Sequence, residues 1–211
     1  MKKIGESGMK ERLLVVSDIH GHRKALITLL KKAKYNARKD QLVLVGDYVN
    51  NGPDSFGTLK LGKRLKRKGA LALAGNHEMR WLASKDKKIK RWHTFLRELS
   101  TVEVIGDYIF AHAGIDTSKP LNKQIKEYTT GHYNHELNTH VPKNKLLIHV
   151  HVPNYRLGLK NDELYMKKNI LDIDTGAGHD KYLSLIDLTN HYQYSVRVTD
   201  IKKVNCKRLK L

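Results

Sequence analysis

Short apolar runs recur along this chain, and each is followed by polar residues and glycine. Five of them are Leu13–Val16, Leu42–Val45, Ala70–Leu73, Tyr108–Phe110 and Leu146–Ile148. Consecutive apolar residues bounded by turn residues are typical of strands that are buried on both faces. The pattern therefore predicts a sheet that contains several parallel strands.

Helical periodicity lies between the first strands. Apolar residues recur at helical spacing after the first run and again after the second, with lysines between them: Ala25, Leu26, Leu29, Leu30 and Ala33, then Leu59, Leu61 and Leu65. Further polar and basic helical sequence follows the third run and extends to about Leu99. This alternation of strand and helix predicts the α/β fold class.

The second half of the chain is richer in predicted strands. Gly106-Asp107 lies between two β-rich runs and predicts a hairpin over 102–110. The pattern weakens over 118–144, where we expect a helix and a loop that cover the ends of the strands. Additional strands are expected at 146–150, 170–174, 183–188 and 192–198, followed by a basic tail over about 200–211 with no clear period. We expect a single domain over 1–211.

Composition favours a globular protein with a hydrophobic core. The chain has 211 residues, of which 40% are apolar. No run approaches the ~20 apolar residues of a membrane span, and the basic N-terminus lacks the apolar segment of a signal peptide. The one cysteine, Cys206, excludes an internal disulfide. We therefore expect a cytoplasmic protein with no membrane partner.

The formal net charge is +19, and much of it is clustered at 60–68, at 85–91 and after Lys202. Such a field attracts anionic substrates and could hold nucleic acid without reading its sequence. A lysine-rich, solvated surface is the alternative interpretation. It is favoured because no basic stretch is interleaved with aromatic residues in the manner of single-strand binding proteins.

Ligand-type side chains follow the apolar runs directly. The carboxyl ends of strands in an open α/β sheet line one crevice, so these side chains are expected to converge. Asp18 and His20 are two residues apart and would share one face of an extended segment. Carboxylate, imidazole and amide groups together can bind two divalent ions. The candidate ligands are Asp18, His20, Asp47, Asn76, His112 and His151.

The ordered motifs resemble those of a known family. They are Asp18-Ile19-His20-Gly21, Gly46-Asp47-Tyr48, Gly75-Asn76-His77-Glu78, Ala111-His112-Ala113-Gly114, His149-Val150-His151 and Ile173-Asp174-Thr175-Gly176. The set is similar to the calcineurin-like metallophosphoesterases. It is most similar to the phosphoprotein phosphatase branch, with its small bacterial and phage serine/threonine phosphatases and its symmetrical diadenosine tetraphosphate hydrolases.

The resemblance implies a four-layer fold, two mixed β-sheets between helices, with two Mn, Fe or Zn ions, of which Mn is favoured. It implies that Asp18, His20 and Asp47 hold one ion, while Asp47, Asn76, His112 and His151 hold the other. A metal-bound hydroxide would attack phosphorus, and His77 would protonate the leaving group.

Departures from the family pattern lie where the substrate would bind. Asn50 replaces an aspartate that would orient His77, and Asn51 replaces an arginine that would grip phosphate. Asn50 could still accept a hydrogen bond from the imidazole, but it would favour the protonated ring less. We therefore expect the pKa of His77 to be lower than in the family pattern.

Other phosphate-binding positions also depart from the pattern. Ala74 stands where an arginine often precedes the Gly-Asn-His-Glu motif, and His135 stands near the position of a second arginine. Arg23, Arg80, His132 or His135 could supply the replacement charge.

Three functions remain open at this point. The first is a serine/threonine-type protein phosphatase that acts on phosphorylated protein. The second is a symmetrical dinucleoside polyphosphate hydrolase or a phosphodiesterase. The third is a catalytically weakened protein that binds metal and nucleic acid. His149 is either a core residue or lies beside the ions, and His22 is expected near the mouth of the site.

Overall fold

The structure is a computed structural model and describes residues 10–131 and 141–210. Within these ranges the chain forms eleven β-strands and six α-helices. The strands are β1 Arg12–Val16, β2 Asp40–Val45, β3 Leu71–Leu73, β4 Val102–Ile105, β5 Tyr108–Ala111, β6 Leu146–His149, β7 Tyr165–Lys167, β8 Ile170–Asp172, β9 Tyr182–Asp187, β10 Tyr192–Arg197 and β11 Asp200–Arg208. The helices are α1 Arg23–Lys32, α2 Ser55–Arg67, α3 Asn76–Ala83, α4 Lys87–Lys90, α5 His93–Arg97 and α6 Lys126–Thr130.

The strands form two mixed sheets, as the family resemblance implies. The six-stranded sheet has the order β11-β10-β9-β1-β2-β3, and the five-stranded sheet has the order β4-β5-β6-β8-β7. In the first sheet β1, β2 and β3 are parallel, and β9 runs antiparallel to β1. In the second sheet β5, β6 and β8 are parallel. The parallel strands of both sheets deliver the site loops.

Alternate residues of β1 enter two different hydrophobic cores. Leu13 and Val15 pack between the two sheets, where Phe110 and Ile148 meet them. Leu14 and Val16 point to the opposite face and pack under the helices, together with Leu26 of α1. Both faces of the strand are therefore buried, which is why its sequence is a continuous apolar run instead of an alternation.

Most of the predicted strands and the predicted helices after β1 and β2 are present, but the predicted basic tail is a strand. Asp200–Arg208 is strand β11, which pairs antiparallel with β10 at the edge of the first sheet. Its lysines hide the strand pattern, and charged side chains are a usual feature of an edge strand, where they discourage pairing with another chain. The short strand β7 was also not predicted.

The region expected to cover the strand ends is described only in part. Helix α6 lies there, and the amide of Ala113 donates to the carbonyl of Thr129 at its end, over 2.8 Å. His132 and His135 lie outside the described residues. Among the helices of the described ranges, none is long and apolar enough to cross a membrane.

Candidate active site

The predicted ligands come together where the two sheets meet. Asp18 and His20 follow β1, Asp47 follows β2, and Asn76 begins α3 after β3. His112 and His151 come from the other sheet, after β5 and β6. Five of these residues line one cleft: Asp18, His20, Asp47, Asn76 and His151. His112 is fully buried behind it.

The Asp47 carboxylate is the centre of this arrangement. Its Oδ2 atom lies 3.4 Å from Nε2 of His112, 3.6 Å from Nε2 of His20 and 3.9 Å from Nε2 of His77. Nε2 of His20 is also 3.7 Å from Oδ1 of Asp18. Except for the closer pair of Asp47 and His112, these atoms are too far apart for direct hydrogen bonds. Their separations suit ligands that share a bound cation.

A second group surrounds the same carboxylate. Ligand atoms of Asp47, His112 and His151 all lie within 4.8 Å of one another. Oδ1 of Asn76 is 3.3 Å from Nε2 of His112, and the rings of His112 and His151 are 5.3 Å apart. Asp47 therefore belongs to both groups, which is the position that a bridging ligand would take.

The backbone conformation of the first loop differs from the expectation. Asp18 and His20 have φ values of +48° and +44°, so the segment after β1 is not extended. The prediction that the two side chains share a face by strand alternation was therefore wrong; a left-handed turn brings them together instead. Asp47 and His151 also have positive φ, at +54° and +87°. Strained backbone of this kind is characteristic of functional sites.

Two glycines make room for the ligands. A Cβ atom on Gly75 would lie 2.1 Å from Oδ1 of Asp47, and one on Gly178 would lie 2.5 Å from the ring of His20. Neither position tolerates a larger side chain without moving a predicted ligand. Gly178 was not singled out from the sequence.

Glu78 joins two of the site loops from below. Its Oε2 accepts hydrogen bonds from the amides of Asp47 and Gly75, both at 2.8 Å, and its Oε1 accepts one from the amide of Tyr48 at 2.9 Å. The side chain is fully buried. One carboxylate thus holds the loop after β2 against the loop after β3 and fixes where Asp47 points.

The pKa values of Asp47 and His112, the two residues at the centre of the site, are shifted in opposite directions. Burial would raise the pKa of Asp47, but His112, His20 and His77 outweigh burial and lower it. Burial would lower the pKa of His112, but the charges of Asp47 and Asp18 raise it to about 10. A carboxylate and a histidine in close contact thus favour each other's charged forms.

Further acidic groups are crowded into the same cleft. Burial, and then the charge of Asp174, raise the pKa of Asp18 well above its usual value. Burial also raises the pKa of Asp174, to about 6. Buried carboxylates that disfavour one another's ionisation gain stability from bound cations, so the donor set fits divalent metal ions.

His20 and His151 are suited to act as neutral ligands. Burial is the main cause that lowers the pKa of each ring to about 4. Both imidazoles are therefore uncharged at neutral pH, which is the form that coordinates a metal ion.

His77 is held by a short chain of hydrogen bonds. Its Nδ1 lies 2.7 Å from Nδ2 of Asn50, and the indole Nε1 of Trp81 donates to Oδ1 of Asn50 at 3.0 Å. Because an indole can only donate, the amide oxygen must face Trp81 and the NH₂ group must face the imidazole. The expectation that Asn50 accepts a bond from His77 was therefore wrong. The pKa of His77 is lowered, first by burial and then also by Arg80 and His112, although Asp47 raises it.

The substrate-side residues are only partly as expected. Asn51 lines the cleft, whereas Arg80 is exposed outside the lining and acts through its charge on His77 and His151. Arg156 was not predicted, and it lines the cleft beside Asp174. The signal that could have found it is the short turn after Val152-Pro153, which follows the last predicted ligand.

Two other histidines are settled by their positions. His149 is buried, with its Nδ1 3.8 Å from Oδ2 of Asp172, and it does not line the cleft. His22 is also buried and lies against Gly52 outside the cleft lining.

The cleft has a volume of about 80 Å³, which is room for a phosphoryl group and not for a nucleoside.

Known proteins are similar to this chain in sequence and in fold. The symmetrical bis(5'-nucleosyl)-tetraphosphatase of Buchnera aphidicola is 30% identical over 141 residues, which cover 55% of this chain and 51% of the relative. Similar enzymes of the same name match from Aliivibrio fischeri at 34% identity over 47% of this chain and 44% of the relative. The chain spans about half the length of the curated relatives it matches.

Solved structures extend the likeness to nearly the whole chain. A crystal structure of a protein provisionally named a diadenosine tetraphosphatase has a TM-score of 0.71 at 25% identity, over 90% of this chain and 95% of the other. A serine/threonine phosphatase of Saccharomyces cerevisiae has a TM-score of 0.60 at 15% identity, over 85% and 73%, and shows the shared fold alone. Residues 11–183 match the family of calcineurin-like phosphoesterases, and with the two mixed sheets this match shows that the chain belongs to that family.

Proposed function

We propose that this protein is a binuclear metal-dependent hydrolase of dinucleoside polyphosphates, with diadenosine tetraphosphate as the representative substrate. The observation that carries the proposal is the convergence of Asp18, His20 and Asp47 from one sheet with His112 and His151 from the other. The names of the relatives support this substrate class over phosphorylated protein.

In this proposal the residues divide into two ligand groups. Asp18, His20 and Asp47 would hold one ion, and Asp47, Asn76, His112 and His151 would hold the other. Mn²⁺ is the proposed metal, with Fe or Zn as alternatives. When bound, such a pair of ions would polarise the phosphoryl oxygens and activate water for attack on phosphorus.

His77 would act on the leaving group. Its Nε2 faces the cleft, 3.9 Å from Oδ2 of Asp47, while Asn50 holds the opposite ring nitrogen. The amide of His77 also donates to Oδ1 of Asp47 at 3.0 Å, which fixes the residue against the site. The lowered pKa leaves little of the ring protonated at neutral pH and favours leaving groups that need little protonation. A nucleotide is such a leaving group.

Arg156 and Asn51 would position the phosphate chain at the mouth of the cleft. Arg156 is exposed at the rim and lines the cleft, and its charge opposes the rise that burial causes in the pKa of Asp174. A cleft of about 80 Å³ would accommodate one phosphoryl group, and the remaining phosphates of a polyphosphate would extend past this arginine. Arg80 would add positive charge beside His77 and His151. His135 stays a prediction.

The missing arginines favour the same substrate class. A phosphomonoester is a dianion, and charge-assisted bidentate arginines are its strong partners. Asn51 and Ala74 cannot supply them. The internal phosphates of a dinucleoside polyphosphate each carry a single negative charge, so the loss of these arginines costs less binding energy. A serine/threonine phosphatase activity is the second candidate, and the family fold permits it.

One assay series separates the candidates. We would incubate the protein with Mn²⁺ and diadenosine tetraphosphate, a phosphopeptide, p-nitrophenyl phosphate or bis-p-nitrophenyl phosphate. The variant Asp47→Asn is the control. We expect the highest kcat/KM on diadenosine tetraphosphate and loss of turnover in the variant. Faster turnover of the phosphopeptide would favour the protein phosphatase, and metal binding with no turnover of any ester would contradict the proposal.

A further inference from the structure

A long groove lies between α1 and α2, away from the active site. Two concavities of about 1030 and 850 Å³ form it, and they share Ile27, Leu61 and Arg64. We call their combined lining the basic groove. Along α2 it runs from Gly57 to Lys68, which is about 17 Å at the rise of an α-helix.

The walls of the basic groove are strongly cationic. The first concavity is lined by Lys31, Lys34, Arg38 and Lys68, and the second by Arg23, Lys60, Lys63, Arg67 and Arg91. Arg64 lies at the junction of the two. No aspartate or glutamate is among the described lining residues of either concavity. One end of this row is neutralised, since Nε of Arg23 pairs with Oδ2 of Asp54 at 2.7 Å.

The lining of the groove also includes apolar and aromatic residues. Ile27 and Leu61 belong to both concavities, and the half-buried rings of Tyr35 and Trp92 line the first and the second. The ammonium of Lys63 lies 5.9 Å from the centre of the Trp92 ring. The sequence showed no basic stretch interleaved with aromatic residues, because residues 35 and 92 come from distant parts of the chain. The fold brings them to the same surface.

We propose that the basic groove binds single-stranded nucleic acid. Cations along a groove hold a phosphate backbone, and aromatic and apolar surfaces beneath them take unstacked bases. A groove with aromatic residues in its lining suits a chain of phosphates that carries planar bases better than it suits an acidic peptide. The net charge of the sequence predicts an attraction for nucleic acid but does not locate it on the surface. The structure assigns it to the basic groove.

This binding is independent of the proposed hydrolysis. None of the residues that line the cleft also lines the basic groove. The chain connects the two surfaces, because α1 begins at Arg23 directly after the loop that carries Asp18 and His20. Binding can therefore be measured without turnover, and a failure of one proposal does not decide the other.

The test is fluorescence anisotropy with a labelled 12-nucleotide oligouridylate. The groove variant is Lys60→Glu, Arg64→Glu and Arg67→Glu combined, all at exposed positions of α2. The matched control is Lys202→Glu, Lys203→Glu and Lys210→Glu, which makes the same change in net charge at exposed positions in and just after β11. Circular dichroism and melting temperature establish that both variants fold.

We expect the groove variant to bind at least tenfold more weakly than the native chain, and the control to lose less than threefold. The slope of log affinity against log salt should fall by about 2 in the groove variant, since each phosphate contact on a single strand contributes about 0.7. Tyr35→Ala should lower the affinity for the oligonucleotide but leave the affinity for inorganic polyphosphate unchanged. Equal losses in both triple variants would overturn the proposal, because net charge alone would then explain binding. So would equal affinity for a polyglutamate of the same charge.

Discussion

The indole Nε1 of Trp81 donates a hydrogen bond to Oδ1 of Asn50, and this contact decides what Asn50 offers to His77. With its oxygen occupied, Asn50 presents its NH₂ group to Nδ1 of His77 at 2.7 Å. The ring nitrogen must then accept, so the proton of the neutral imidazole lies on Nε2, which faces the cleft. Trp81 thereby fixes both the tautomer and the neutral state of His77 from outside the site.

Asn50→Asp should raise the pKa of His77. A carboxylate can accept from Trp81 and from Nδ1–H of His77 together, and its charge favours the protonated ring. The alkaline limb of the pH profile of kcat should move to higher pH. Turnover of phenyl phosphate should rise relative to p-nitrophenyl phosphate, because the poorer leaving group needs the proton more. An unchanged ratio of the two rates would contradict this role for His77.

Trp81→Phe should act in the same direction but more weakly. Without the indole N–H, the Asn50 amide is free to turn its oxygen toward His77 and accept a hydrogen bond from Nδ1. The pKa of His77, followed by NMR on the metal-free protein, should rise by less than in Asn50→Asp. Phe56→Leu is a suitable control, since the centres of the Phe56 and Trp81 rings are 5.1 Å apart. The Phe56 side chain has no group that could form a hydrogen bond with Asn50. A larger shift in this control than in Trp81→Phe would show that packing, and not the indole donor, controls the ring.

Glu78→Gln should destabilise the fold. The carboxylate accepts from three backbone amides, and an amide group in its place would set its NH₂ against at least one of these donors. A buried donor left unsatisfied costs about 1–3 kcal/mol. The melting temperature should fall by roughly 3–10 °C in a protein of this size. Glu98→Gln, at an exposed position just after α5, should change the melting temperature by less than about 2 °C.

Metal binding should release a proton from His112. In the metal-free protein Asp47 and Asp18 overcome burial and raise the pKa of this ring to about 10, so it is charged at pH 8. An imidazole must be neutral to coordinate a metal ion, so binding of Mn²⁺ at pH 8 should release about one proton from His112. Titration calorimetry in two buffers of different ionisation enthalpy measures this number. A value near zero at pH 8 would contradict the assignment of His112 as a ligand.

The same group makes the stabilisation by metal depend on pH. A histidine with a raised pKa stabilises the metal-free fold below its unfolded value of about 6.5, and this contribution is lost as the pH rises toward 10. Mn²⁺ should therefore raise the melting temperature more at pH 9 than at pH 7. Removal of the metal with a chelator should reverse the gain. In Asp47→Asn both the gain and its pH dependence should be much smaller.

Arg156→Ala should weaken the binding of diadenosine tetraphosphate. Loss of one charge-assisted contact of 1.5–3 kcal/mol corresponds to a rise in KM of about 10- to 150-fold. Arg156→Lys should retain part of the affinity, because lysine keeps the charge but not the bidentate geometry. KM for p-nitrophenyl phosphate should change less, since this small ester does not extend to the rim. Arg208→Ala, an exposed position on β11, is the control.

The sequence predicts the centre of the fold better than its edges. The runs at Leu13–Val16 and Leu42–Val45 were recognisable because parallel strands buried on both faces are apolar at every position. Strand β11 was missed because an edge strand has no such pattern. The pairing of β9 with β1 is also beyond sequence patterns, since it joins segments about 170 residues apart.

The candidate site also contains residues that the sequence could predict and residues that it could not. The candidate ligands could be named because each follows a strand within its own short motif, as Asp47 follows Val45 and Gly46. Arg156 and Gly178 could not, since their importance depends on where the fold places them in the cleft, with Asp174 and with the ring of His20. The orientation of the Asn50 amide is set by Trp81, thirty-one positions away.

The left-handed backbone at Asp18, His20, Asp47 and His151 implies a conflict between activity and stability. Each such residue costs of the order of 1 kcal/mol, so together they offset several of the 5–15 kcal/mol that separate a folded protein from its unfolded chain. Chains that abandon catalysis are free to relax these turns with glycine and become more thermostable. Selection for heat resistance alone would thus erode this site first, and a laboratory evolution experiment on this fold should screen for hydrolysis at every round.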